Sequence, residues 1–111
     1  MTTSHIAVSA AALDALGDPH RREILEILAA GPTPVGAIAE RLPISRPAVS
    51  RHLRLLKEAE LVSDEAVGTR RVYRLRADGI AAIHAYFEQL WGEGVARYRL
   101  AVENLPRRAA R

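Results

Sequence analysis

The chain has 111 residues, which is enough to bury one hydrophobic core but too few for two independent domains. Almost half of the residues are hydrophobic and there is no cysteine, which excludes disulfides, thiolate metal sites and cysteine nucleophiles. The net charge of +3 is modest, but residues 44–76 hold eight basic and four acidic side chains, so the positive surplus lies in the middle of the chain.

Alanine-rich residues 4–16 predict a first helix, in which Ile6 and Leu13 stand near helical spacing. Gly17 breaks this pattern. The Asp18-Pro19 pair then supplies a side-chain cap with a proline at the first helical position. A second helix is therefore expected to begin there, with isoleucines and leucines on its buried face.

Two short helices joined by a tight turn are predicted next. Thr33-Pro34 repeats the cap-and-proline start, and a third helix ends before Pro43. Ser45 caps a fourth helix, whose apolar residues recur at helical spacing. These residues are Val49, Leu53 and Leu56. The opposite face of the fourth helix is basic and able to form hydrogen bonds.

A helix with such a face fits the DNA major groove, where an arginine fork can bind the two acceptors of a guanine. We predict base contacts from Arg46, Ser50 and Arg51. We predict phosphate contacts from the cap and the later turns, namely Ser45, Arg54 and Lys57. For any single arginine the alternative is an ordinary solvent-exposed charge.

After Ala59 the hydrophobic period changes to that of strands. Residues 61–66 and 70–76 predict a hairpin around a Val67-Gly68-Thr69 turn. A wing laid along the duplex would bring its arginines to the DNA backbone or a minor groove, and these are Arg70, Arg71 and Arg74. An ordinary exposed hairpin end would also be polar. The fold predicted by this order is a mainly α winged helix-turn-helix with about five helices and a two-stranded wing.

From about Ala77 a long helix carries apolar residues spaced by threes and fours over nearly seven turns. The stripe is longer than a small domain can easily cover, so we predict a homodimer that buries it against a second copy. The predicted interface comprises Ile6, Leu13, Phe87, Trp91, Val95 and Tyr98. The alternative is that the stripe packs wholly on its own domain.

The histidines leave two questions open. His52 borders the apolar side of the fourth helix, where it either braces that helix or touches a phosphate. His84 and Glu88 have the one-turn spacing of a helical metal pair, but two ligands do not make a site. We predict no metal and no cofactor, although ligands shared across a dimer would escape this reasoning.

Three segments carry a resemblance to a known family: LGDPHRREIL (16–25), PAVSRHLRLLKEAELV (47–62) and GTRRVYRL (68–75). They closely resemble the ArsR-type, or arsenic-repressor-like, bacterial regulators over about residues 17–91. The resemblance implies a winged-helix homodimer that is joined through its first and last helices and represses promoters from a pseudo-palindromic operator.

This chain departs from the metal-sensing members of that family. They carry cysteines near the recognition helix, or carboxylates and histidines on the last helix, whereas this chain lacks the first and has at best His84 of the second. It therefore resembles the metal-independent branch. Whether repression is constitutive, autoregulatory or controlled by an unidentified ligand or protein stays open.

The function predicted from these observations is sequence-specific binding of duplex DNA by a transcriptional regulator, with residues 1–111 forming a single domain. A protein-interaction module that uses the same fold is the second reading. An enzyme is not indicated, because the sequence shows no phosphate loop, metal set or paired nucleophile and base. No apolar run approaches the roughly 20 residues that span a bilayer, so we expect a cytoplasmic protein without a membrane partner.

Overall fold

A computed structural model describes residues 8–105 of the chain. This part contains five helices and a three-stranded antiparallel sheet. In chain order the elements are α1 (Ala10–Ala15), α2 (Pro19–Ala29), β1 (Thr33–Pro34), α3 (Val35–Glu40), α4 (Arg46–Glu58), β2 (Val62–Val67), β3 (Arg70–Leu75) and α5 (Ala77–Glu103). The predicted mainly α fold, with two short helices followed by a hairpin, is confirmed.

The two predicted side-chain caps are present. The Asp18 carboxylate accepts hydrogen bonds of 2.8 and 3.1 Å from two backbone amides in the first turn of α2, and Pro19 follows it. The Ser45 hydroxyl accepts a 3.2 Å hydrogen bond from a first-turn amide of α4. Each cap satisfies amides that the helix itself leaves without a partner, which fixes where α2 and α4 begin.

The first helix begins later than predicted. Ser9 caps it through a 3.0 Å hydrogen bond from the Ala12 amide, so α1 starts at Ala10 rather than at Ser4. Residues 1–7 lie outside the described residues, and the predicted interface residue Ile6 is among them.

The helix α4 ends in a paired hydrogen-bond motif that reverses the chain toward the hairpin. The Leu61 amide donates to the Leu56 carbonyl, and the Glu60 amide donates to the Lys57 carbonyl, each at 3.0 Å. This geometry puts Glu60 at φ +62°, a region that favours glycine. The first turn of α5 packs so closely on Glu60 that a Cβ at Gly79 would collide with the Glu60 carbonyl.

The hairpin turn is shorter than predicted. Val67 pairs with Arg70, which leaves the two-residue turn Gly68-Thr69 with Gly68 at φ +64°. The predicted three-residue turn around Gly68 was therefore wrong by one residue, and β2 extends to Val67.

The sheet also has a strand that the sequence did not predict. Thr33 and Pro34 do not start α3; they form β1, which pairs with β3 opposite Tyr73 and Val72. The Thr33 hydroxyl donates a 2.9 Å hydrogen bond to the Gly31 carbonyl, so it does not cap α3. A proline is tolerated here because β1 is an edge strand.

The hydrophobic core lies between α2, α3, α4 and the base of the hairpin. Its fully buried large side chains are Ile24, Ile38, Val49, Leu53, Leu56, Leu61 and Val62. Only the start of α5 joins this core, through Ala82 and the half-buried Ile80 and Ile83. Within the described range, no helix is both long enough and apolar enough to cross a membrane.

Candidate nucleic-acid interface

The helix α4 is held to the body by one face and offers the other to solvent. Val49, Leu53 and Leu56 are completely buried on the inner face. The residues of the outer face lie within an arc of about 140° around the helix axis. They are exposed, and they include Arg46, Ser50, Arg51, Arg54 and Lys57. The buried side fixes the rotation of the helix, so these polar side chains point away from the protein.

Three arginines of this outer face form no ion pair with a carboxylate of the described residues. Within residues 8–105, no carboxylate lies at ion-pair distance from Arg46, Arg51 or Arg54. Arginine guanidinium groups without a protein partner keep their donors available to base edges or phosphates. The surface therefore suits an anionic ligand that runs along the helix.

The wing cations differ from those of the helix because most of them are paired. The Arg74 guanidinium lies 3.0 Å from the Glu65 carboxylate, and both side chains are exposed. Arg71 lies 3.4 Å from Asp64. Arg70, at the turn, has no carboxylate at ion-pair distance within the described range.

Asp64 is a residue of this surface that the sequence did not predict. Its Oδ1 atom lies 2.8 Å from Lys57 Nζ at the end of α4, and its Oδ2 atom contacts Arg71 on the wing. Burial and then the negative charge of Asp64 raise the pKa of Tyr73, the residue opposite it on β3. The alternation of strand side chains held a signal, since Asp64 stands two residues after the buried Val62 and so shares its inward face.

The start of α4 and the wing tip line one cleft of about 470 Å³. Arg46 lines it from the start of α4, and Arg70 and Arg71 line it from the wing. Residues 34–37 of the α3 start and Glu40 complete the wall. Arg46, predicted to contact bases, therefore lies on the same side of the molecule as the wing residues Arg70 and Arg71, as binding one duplex requires.

His52 lies on the flank of α4 that faces α2. Its Nδ1 atom is 3.4 Å from Nη1 of Arg21, and its ring centroid is 5.8 Å from that of His20. Burial lowers the pKa of His52, the charges of Arg21 and His20 lower it further, and Asp18 opposes them. Of the two roles left open by the sequence, these contacts match bracing of the recognition helix.

Asp18, His20 and His52 bring possible metal-ligand atoms within 4.8 Å of one another. The contact joins two helices, so residue spacing alone could not reveal it. However, the Arg21 guanidinium already lies against His52, and it would repel a second cation at this place. His84 and Glu88 are 4.0 Å apart and fully solvated on α5.

The second half of α5 has no cover in the single chain. Every residue from Phe87 to Leu105 is exposed, which contradicts the alternative that the apolar stripe packs wholly on its own domain. The exposed stripe includes four of the residues predicted for the dimer interface, namely Phe87, Trp91, Val95 and Tyr98. Leu13 of α1 is half-buried.

Comparison with known protein sequences places this arrangement among transcription factors. Residues 16–65 match a family model described as a helix-turn-helix domain. The HTH-type transcriptional regulator Rv2034 of Mycobacterium tuberculosis is 46% identical over 93 residues, which cover 84% of this chain and 87% of that protein. The transcriptional repressor SdpR of Bacillus subtilis is 46% identical over 61 residues, which cover 55% of this chain and 68% of SdpR.

Solved structures show the same fold. The homodimeric winged helix-turn-helix DNA-binding domain of a Mycobacterium bovis protein, described as a possible ArsR-family regulator, superimposes with a TM-score of 0.62 at 31% identity. The match covers 79% of this chain and 82% of that domain. Other solved regulators that carry the ArsR name share the fold as well. The chain belongs to the ArsR family of winged helix-turn-helix transcriptional regulators.

Proposed function

We propose that this chain represses transcription by binding a pseudo-palindromic operator as a homodimer. The observation that carries the proposal is the row of arginines on the outer face of α4 that have no carboxylate partner among residues 8–105, with Arg46 in the same cleft as the wing tip. A helix held by its buried face can insert its polar face into a major groove without rearranging the protein. The relative SdpR is itself named a transcriptional repressor.

The proposed contacts divide by position along the helix and wing. Base contacts come from the N-terminal half of α4, through Arg46, Ser50 and Arg51. Phosphate contacts come from Ser45, Arg54 and Lys57, and wing contacts come from Arg70, Arg71 and Arg74. Lys57, Arg71 and Arg74 contribute less than the others, because each is already paired with a carboxylate. The leading members of these sets have no carboxylate partner among the described residues, and they are Arg46, Arg51, Arg54 and Arg70.

The proposed homodimer joins two copies through α1 and α5, with residues 1–111 acting as one domain. Support comes from the apolar stripe of α5, which is exposed throughout the second half of the helix. Its predicted interface residues Phe87, Trp91, Val95 and Tyr98 lie within about 80° of arc. The M. bovis neighbour is a homodimer. A two-fold pair would present two α4 helices to two operator half-sites.

We further propose that DNA binding needs no metal ion and that the protein acts in the cytoplasm. The absence of cysteine removes thiolate metal sites, and Arg21 stands beside the histidine pair between α2 and α4. An effector, if this regulator has one, would be a small molecule or another protein.

The direct test titrates labelled DNA from the region upstream of the chain's own gene, and matched random DNA, at two salt concentrations. Specific binding is expected to be at least about 10³-fold tighter than random binding and to weaken steeply with salt. Equal affinity for both DNAs would refute specific recognition.

Residue roles are tested by two arginine variants in the same assay. Arg51→Ala is expected to cost about 1 to 3 kcal/mol on the operator and to relax the preference at one base pair. Arg70→Ala is expected to weaken operator and random DNA by the same factor, because a phosphate contact carries no base information. The reverse pattern would exchange the two roles.

A further inference from the structure

We propose that Asp64 is a positioning residue for DNA recognition. It ties the wing to the end of the recognition helix and withholds two cations from non-specific phosphate contact. This inference rests on the proposed function, and it adds a specificity determinant that lies behind the DNA-facing surface.

The Asp64 carboxylate contacts cations on two different elements. Asp64 is on β2, and its side chain is only 7% exposed. Its two oxygens contact different cations: Oδ1 lies 2.8 Å from Lys57 Nζ, and Oδ2 lies 3.4 Å from Arg71 Nη1. One nearly buried anion on β2 therefore bridges the last turn of α4 and the paired strand β3, which is the central strand of the sheet.

The low exposure of Asp64 strengthens its ion pairs with Lys57 and Arg71. An ion pair whose anion is shielded from water is screened less by solvent and salt than one that is fully exposed. The neighbouring pair Arg74–Glu65 is the contrast, because its carboxylate is 58% exposed and its contribution is small. Asp64 is thus the stronger of the two carboxylate anchors on β2.

Binding to Asp64 limits the contacts that Lys57 and Arg71 can make with phosphates. Both cations are more than half exposed and stand on the two elements that meet DNA, so without Asp64 they would be free to neutralise phosphates. Phosphate contacts strengthen binding to every sequence alike. Specific binding instead requires α4 and the wing to meet the duplex in one fixed relation, which the bridge maintains.

Asp64→Asn tests the charge part of the proposal. Random-DNA affinity is expected to rise about threefold or more. The salt slope of random binding is expected to steepen by up to about 2 per chain, because the variant releases both Lys57 and Arg71. Operator affinity gains less, so the ratio of operator to random affinity is expected to fall about fivefold or more. Thermal unfolding by circular dichroism checks that the variant is folded.

Glu65→Gln is the matched control. It removes the same unit of negative charge from the adjacent residue of β2, but it breaks only an exposed pair. Its operator-to-random ratio is expected to stay within about twofold of the wild type. Equal changes in the two variants would mean that net charge alone is responsible, which would overturn the proposal.

Lys57→Gln tests the tie from the helix side and does not depend on the folding of the Asp64 variant. If Lys57 only touched phosphate, both DNAs would weaken equally and the ratio would not change, which contradicts the proposal. If Lys57 holds the wing in register through Asp64, the ratio falls. A wild-type protein that does not discriminate between operator and random DNA would instead refute the proposed function, so the two failures are distinguishable.

Discussion

Trp91 on α5 offers the sharpest test of the proposed dimer. It is 74% exposed in the single chain, on an apolar stripe that continues for three further turns. A tryptophan can bury up to about 250 Å², so about 180 Å² of Trp91 remains for a partner to cover. At about 25 cal/mol per Å², full coverage would contribute at most about 4 to 5 kcal/mol per chain.

We expect Trp91→Ala to weaken dimerisation strongly. If a second copy covers half of the available area, truncation costs about 2 kcal/mol per chain. Because a two-fold interface contains two copies of the residue, the dimer loses about 4 kcal/mol, which is about 10³-fold in the dissociation constant. Sedimentation velocity from nanomolar to tens of micromolar protein measures this shift directly.

Gln89 provides the control on the same helix. It is exposed and lies two residues before Trp91, about 160° around the axis, so it faces away from the stripe. Gln89→Ala is expected to change the dissociation constant less than about threefold. Equal weakening by both substitutions, or a wild-type chain that is monomeric at micromolar concentration, would refute the assignment of this face.

Two further predictions concern stability. Glu60 holds φ +62° just after α4, so Glu60→Gly is expected to raise the free energy of unfolding by about 1 kcal/mol in urea denaturation. Glu58→Gly, at the last residue of the helix, should instead lower the free energy of unfolding, by at most about 1 kcal/mol. A destabilised Glu60→Gly variant would show that the left-handed conformation carries no strain. Burial lowers the pKa of His52 below its ordinary value of 6.5, so the unfolded chain binds the proton first as the pH falls. The free energy of unfolding is therefore retained above about pH 6.5 and declines below it. His52→Gln should flatten that part of the pH profile of the melting temperature relative to wild type.

The parts of the fold that the sequence predicted correctly are those with a local cause. Asp18 and Ser45 start helices because a side-chain oxygen next to a proline-bearing first turn satisfies nearby amides. The hairpin followed from a change in hydrophobic period around Gly68. Such features depend on residues a few positions apart, so spacing alone is informative.

The parts that the sequence missed depend on distant contacts. Thr33-Pro34 has the local pattern of a helix start, but pairing with Tyr73 forty residues later makes it a strand. Asp64 meets Lys57 only after the hairpin folds back on α4, and His52 meets Arg21 only when two helices pack. Strand alternation indicates that Asp64 faces inward, but no periodic signal in the chain identifies the partner of Asp64 or of His52.

Some cations of the interface are paired with carboxylates and others are not. This division predicts how steeply DNA binding depends on salt, which composition alone could not. Seven basic side chains per chain were predicted to face DNA, yet in the described residues only Arg46, Arg51, Arg54 and Arg70 lack an acidic partner. Each phosphate contact contributes about −0.9 to the slope of log K against log salt. The four unpaired cations of each chain make eight in a homodimer and set a limit near about −7 for this slope. If all seven predicted cations of each chain contacted phosphates, the slope would approach about −13. Because arginines that bind bases neutralise no phosphate, the wild-type slope is expected below that limit in magnitude. A wild-type slope near −13 would mean that Lys57, Arg71 and Arg74 leave their carboxylates on binding, and the wing would then act as a purely electrostatic clamp.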